Sequence, residues 1–184
     1  MQSVSIAVVA CLLLSSVSAV AHGLTLDSAS VKADGWLSAK QESSGHGCAG
    51  GNISPALSWS GAPADTKSFA VTLFDPDARA GQGWWHWVVI NIPSTVHALS
   101  EDAGNGSGTH LPLGAIQVRT SFGDSAYGGA CPPVGDKPHR YVFTVYAMKV
   151  AKIDLAASAS AASANLFINA NALDRATLVA RYGR

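Results

Sequence analysis

The chain has 184 residues, with 12 basic against 12 acidic side chains, and is formally neutral at pH 7. Neutrality, with no local block of Lys or Arg, excludes the electrostatic footprint a nucleic-acid partner requires. Charged residues are sparse at 13% while hydrophobic residues reach 48%, the balance of a globular chain rather than a disordered one.

Residues 1–21 contain no charged side chain. Ile6 to Leu14 is an apolar run, and Ala19-Val20-Ala21 is a small-x-small cleavage site. This reads as a secretory signal peptide, too short for an anchor, although its n-region has no Lys or Arg. Cleavage after Ala21 leaves one domain, 22–184, beginning at His22, in the periplasm or outside the cell. No later segment is long and apolar enough to cross a membrane. Of the three cysteines, Cys11 lies in the leader. Cys48 and Cys131 remain as an even pair in an exported chain, and a disulfide is the natural reading. A thiol metal site built on His46 and Cys48 lacks a C-x-x-C partner pair.

Short apolar alternations from Leu24 to Lys40 predict strands. Gly45 to Pro55 is a glycine-rich loop containing Cys48, and Leu57 to Trp59 is a short strand before the Gly61-Ala62-Pro63 turn. Phe69 to Phe74 is apolar on both faces, as expected of a strand buried on both sides. Pro76 cannot donate to a sheet ladder, so that strand should stop at Asp75. Asp75 and Asp77 stand two apart and, on an extended chain, project to the same side. Gly81-Gln82-Gly83 turns the chain, and Trp84 to Ile92 returns as a second strand ending at Pro93. Such a hairpin brings His86 towards the aspartates. The plainer reading of DPD alone is a loop capped by its own Asp side chains, with the tryptophans in the core.

Gly104 to Gly108 has no strand-to-helix context and reads as a turn, not a phosphate loop. Tyr127-Gly128-Gly129 and Cys131-Pro132-Pro133 form a rigid loop whose glycines would let backbone N–H groups approach a ligand. His139-Arg140-Tyr141 then opens a strand, Tyr141 to Lys149, rich in β-branched and aromatic residues. Two strands thus begin with a histidine, beside an Asp pair and a Gly-Pro loop, and the combination favours a site. Asp154 to Ala162 reads as loop or weak helix. Leu166, Ala170, Leu173 and Thr177 fall at helical spacing and predict a C-terminal amphipathic helix stopped near Gly183. The total is a mostly-β sandwich with a peripheral helix.

These motifs carry a resemblance. DPDA, WWHWVVINIP, FG…YGGACPP and HRYVFTVYA resemble the phosphatidylethanolamine-binding protein family, in its bacterial Raf-kinase-inhibitor-like branch of YbhB/YbcL type. The similarity runs from about Gly47 to the C-terminus. It implies a β-sandwich with a few short peripheral helices and a pocket for phosphate or a phosphorylated headgroup. Carried over position by position, that pocket is Asp75, Asp77, His86, the Cys131-Pro132 loop, His139 and Tyr141, flanked by Trp85. Two positions depart from the family pattern: Arg79 stands where Pro is usual after DPDA, and Asn171 where many members have His in the C-terminal helix.

Two aspartates alone would repel an anion. They become useful if they hold the imidazoles in place and favour their protonated form. The histidines and backbone N–H groups then donate to ligand oxygens as charge-assisted bonds, Tyr141 adds a hydroxyl, and tryptophan faces exclude water. The expected function is a non-enzymatic binding module for a phosphorylated anion or phospholipid headgroup, able to bind or inhibit a partner protein such as a kinase or protease, with no cofactor. A homodimer remains open. An Asp/His hydrolase is the alternative, against which stand the lack of G-x-S-x-G or H-E-x-x-H and of a signalled Ser or Cys nucleophile. A copper site on the amine and imidazole of His22 would need that cleavage point and a second histidine nearby.

Overall fold

The computed structural model describes residues 23–184. The expected leader and cleavage site, Cys11 and His22 lie outside the described residues. Among the described residues nine strands form two sheets. The smaller joins β1 (Thr25–Asp27), β3 (Leu57–Ser60) and β6 (Ala98–Leu99) in the order β1-β3-β6. The larger joins β2 (Gly35–Trp36), β4 (Ser68–Asp75), β5 (Trp84–Pro93), β7 (Ile116–Gln117), β8 (His139–Met148) and β9 (Ala172–Tyr182) in the order β2-β9-β8-β4-β5-β7. The protein is mostly β, as expected.

The buried strand predicted at Phe69 to Phe74 is β4, and it ends at Asp75, before Pro76. Its side chains alternate between two cores. Phe69, Val71 and Leu73 join Trp59, Trp87, Tyr141 and Phe143 between the sheets. Ala70 faces the other way, with Val88, Ile90 and Tyr146, beneath helix α2 (Ala161–Asn171). Burial on both faces explains why no polar alternation is legible in this strand.

The C-terminal segment departs from its predicted form. The helix starts where Ser160 caps it, accepting from the Ser163 N–H, and it buries Ala161, Ala164 and Ile168. It ends at Asn171 instead of continuing towards Gly183. Leu173 and Thr177 belong to β9, which pairs antiparallel with β8 from His139↔Tyr182 to Met148↔Ala172. The helical spacing there is coincidental. A long ladder to a central strand pairs the backbone groups that face β8 along the whole segment, and Thr177, Leu178 and Val179 suit a sheet. α2 lies on the sheet face away from the histidines, so Asn171 makes no contact with them; its amide donates to the Phe167 carbonyl.

Between β4 and β5 the chain makes a tight left-handed turn, α1 (Ala78–Gly81), with Arg79 and Ala80 at φ 52° and 53°. Gly83 follows at φ +82°, and a Cβ there would lie 2.1 Å from the Phe74 ring. A proline at position 79 could not adopt this φ, so Arg79 and the loop shape go together.

Candidate functional site

The ends of β4, β5 and β8 meet at one edge of the larger sheet, where three loops close over them. The resulting cavity, about 820 Å³, is lined among others by Asp75, Asp77, His86, Cys131, Pro132, His139 and Tyr141. Seven of the eight side chains predicted from sequence therefore share one cavity.

Trp85 is the exception and is corrected here. Strand alternation puts Trp84 and His86 on the cavity face and Trp85 on the opposite one. Trp85 stacks on Phe74, with ring centroids 4.4 Å apart, and packs against the core under α2. Trp84 is the cavity tryptophan, with the Arg79 guanidinium 4.6 Å over its ring. His86 owes its direction to a bulge: the β4–β5 register shifts between Leu73 and Phe74, which pair with Trp87 and Trp85. The extra residue, His86, is turned towards Tyr141, with ring centroids 5.2 Å apart, while Trp87 enters the inter-sheet core.

The two aspartates have separate partners. Asp75 is buried; its Oδ1 accepts from the N–H groups of Asp77 and Ala78 at 2.8 and 3.0 Å. Its Oδ2 accepts from His139 Nδ1 at 2.8 Å. Asp75 thus both caps its own loop and holds an imidazole, so the two readings of DPD hold together. Asp77 holds no histidine. Arg140 donates to it from its backbone N, Nε and Nη2 at 2.9, 2.9 and 2.8 Å, and these bonds keep the carboxyl well below the usual carboxylate range.

The histidines also differ, which corrects the expectation that both are held protonated. His139 is buried, with Nδ1 against Asp75 and Nε2 3.3 Å from Asp136 Oδ2. A neutral ring would turn a lone pair towards one of these carboxylates. Burial alone would depress the His139 pKa, but the bond to Asp75 and the charge of Asp136 raise it above the ordinary value. His86 donates from Nδ1 to the Gly128 carbonyl at 2.8 Å, and burial pushes its pKa down. These surroundings favour the cation at His139 and the neutral ring at His86.

Tyr141 is fully buried, and among the described residues its hydroxyl has no partner at good hydrogen-bond geometry, although the Cys131 backbone and the Asp75 carboxylate lie near enough to act on it. Burial, reinforced by the charge of Asp75, raises its pKa, so it remains a donor. The glycine-loop N–H groups expected to face a ligand are engaged within the protein. Gly128 N donates to the His86 carbonyl, Gly129 N to Asn52 Oδ1 and Ala130 N to the Gln41 carbonyl. The glycines serve close packing instead: a Cβ on Gly129 would lie 2.4 Å from Ser43 N.

Cys48 and Cys131 form a disulfide with Cα atoms 5.9 Å apart, tying the first glycine-rich loop to the cavity wall. Arg184 binds the same two loops, donating to the carbonyls of Gly47 and Pro132. Phe122 forms the opposite wall, with its ring against His46, Trp84 and His86 at 5.1, 5.4 and 5.2 Å. Phe122, Trp84 and Asp136 were not singled out from sequence. Trp84 follows from strict strand alternation about His86, and Asp136 stands three residues before His139, but nothing local marks Phe122. Among the described residues no group of three or more His, Cys, Asp or Glu side chains is arranged to hold a metal. No helix among them is long and apolar enough to cross a membrane.

The comparisons with known proteins agree with this architecture. A family model described as phosphatidylethanolamine-binding protein matches residues 27–183. YbcL of Escherichia coli K12 is 50% identical over 165 residues, covering 90% of each chain. YbhB of the same organism is 45% identical over 138 residues, 75% of this chain and 86% of its own. The crystal structure of Escherichia coli YbcL matches with a TM-score of 0.86 at 48% identity, covering 89% of this chain and 99% of that one. The chain belongs to the phosphatidylethanolamine-binding protein family.

Proposed function

We propose that the cavity binds the phosphate of a small anionic ligand, free or as a phospholipid headgroup, without chemical turnover. The observation that carries this reading is the Tyr141 hydroxyl, buried without a well-aligned partner and lining the same cavity as His139. A buried hydroxyl left without a partner costs about 1–3 kcal/mol, which an oxygen of the ligand would recover. His139 supplies a charge-assisted donor, and the Nε2 of neutral His86, a lone pair in this tautomer, accepts from a P–OH of the ligand. The family description names a phospholipid whose headgroup carries such a phosphate, which supports the same chemistry.

The hydrolase reading has a general-base pair in Asp75–His139 but lacks a matching nucleophile. Cys131 is disulfide-bonded, and Ser121 Oγ accepts the Trp85 N–H. Calorimetry with inorganic phosphate and phosphoethanolamine from pH 5 to 9 tests the assignment. His139→Ala should weaken binding by about 1.5–3 kcal/mol and His86→Ala by about 1 kcal/mol. Affinity should be full below the raised His139 pKa and fall as pH climbs through it. Unchanged affinity in both variants would remove the pocket assignment. Release of product from a phosphoester, abolished by the same changes, would favour hydrolysis.

The leader read in residues 1–21 and the Cys48–Cys131 bond both support export to an oxidising compartment. N-terminal sequencing of the protein from its host should begin at His22. Retention of Met1 would overturn export.

A further inference from the structure

His139 is the charged donor of the proposed site, yet both of its ring nitrogens already face carboxylates. Nδ1 lies 2.8 Å from Asp75 Oδ2 and Nε2 lies 3.3 Å from Asp136 Oδ2. These two carboxylates are not equivalent. Asp75 is buried and accepts three hydrogen bonds, so it cannot leave without uncapping its own loop. Asp136 lies between Pro133 and Pro138, and its side chain is 48% exposed. Its only other side-chain bond is from the neighbouring Lys137 N–H to Oδ1. Asp136 also lines the cavity, so its carboxylate stands where a ligand anion would meet His139.

We propose that Asp136 is a tethered internal anion that occupies the ligand's seat on His139, so that a phosphate binds by displacing this side chain. This rests on the phosphate-site reading above. Two anions cannot share one imidazolium N–H without strong repulsion. The half-exposed Asp136 can turn back into water at small penalty, whereas Asp75 cannot. In the free protein the arrangement keeps a buried cation fully paired, avoiding an unpaired buried charge. Arg79 and Lys137, the other cationic side chains on the cavity, are available to a displaced or incoming anion. Asp77 does not compete, because Arg140 holds it. Asp136 therefore sets affinity by competition, with a sign opposite to that of Asp75.

The test is calorimetric titration of inorganic phosphate and of phosphoethanolamine at pH 6 into the full-length folded protein and its Asp136→Asn and Asp136→Ala variants. Both variants should bind phosphate roughly fivefold to thirtyfold more tightly than the parent, the range for removing a like charge that is half exposed to solvent. The gain should vanish when His139→Ala is added, because the competition is for that ring. A double variant that keeps the gain would reduce the effect to general electrostatics and overturn the proposal. So would phosphate binding unchanged or weakened in Asp136→Asn. If phosphoethanolamine alone binds more weakly to the variants, Asp136 is a receptor for the ammonium group and not a competitor, which also overturns it. Binding by the variants but not the parent would support both readings. Binding by neither would sink the phosphate site itself, and this inference with it.

Discussion

Replacing Asp75 by Asn should destabilise the protein, and more so in mild acid than in base. The asparagine keeps Oδ1 for the N–H groups of Asp77 and Ala78, but it sets an NH₂ against the His139 Nδ1–H in place of Oδ2. Removing one partner of a buried ion pair costs about 3–5 kcal/mol. Asp136 still faces the other ring nitrogen and offsets part of the loss, so about 3 kcal/mol is expected at pH 5.5. The pH dependence follows from the raised His139 pKa. The pairing stabilises the fold fully below the unfolded histidine value, about 6.5, and is lost as pH rises through the higher folded value. Above it, parent and variant differ by little more than one neutral hydrogen bond, about 1 kcal/mol. Urea denaturation at pH 5.5 and pH 9 measures both gaps. For a domain of this size the acid-side loss corresponds to a drop in Tm of roughly 6–12 °C. A loss below about 1 kcal/mol at pH 5.5, or an equal loss at both pH values, would refute the reasoning.

Trp84→Ala should weaken binding of phosphoethanolamine with a small loss of stability. Trp85→Ala should cost about 2–3 kcal/mol of stability and leave binding nearly unchanged, because its ring packs on Phe74 and the core under α2. Tyr141→Phe removes a hydroxyl without a well-aligned partner, so melting should show no loss, or a gain of up to about 1 kcal/mol, while ligand affinity falls by about 1 kcal/mol. A drop in stability would mean that the hydroxyl is already bonded in the free protein. The Cys48→Ala/Cys131→Ala double variant opens a link across 83 residues and should lose about 4 kcal/mol in the chain-entropy model, with weaker ligand binding as the wall loosens. Mass spectrometry of the parent should show two hydrogens fewer before reduction than after, and two free thiols would contradict the bond.

Much of the scaffold was legible because local rules and long-range packing agree there. The apolar run before Asp75, the stop at Pro76 and the return strand Trp84 to Pro93 are β4 and β5 nearly residue for residue. The strand opened by His139 is β8. The C-terminal segment departs from its helical period because Leu173 and Thr177 complete the free edge of β8 as part of β9. Periodicity cannot register a vacant ladder upstream, where Thr177 finds Thr144.

Residue types and spacing single out the two aspartates, the two histidines and the Gly-Pro loop, the family resemblance adds Tyr141, and the cavity also takes in Trp84, Phe122 and Asp136, which neither marked. Their pairing was not legible. Only the folded arrangement assigns Asp77 to Arg140, Asp75 to His139 and His86 to the Gly128 carbonyl, because each bond joins segments far apart in the chain. The bulge that aims His86 is a property of the β4–β5 register, not of either strand, and it turns His86 to the same side as its neighbour Trp87. Charge state follows the same division. The sequence shows two titratable rings, but burial lowers the pKa of one and the nearest carboxylates raise that of the other, and both effects are set by tertiary contacts.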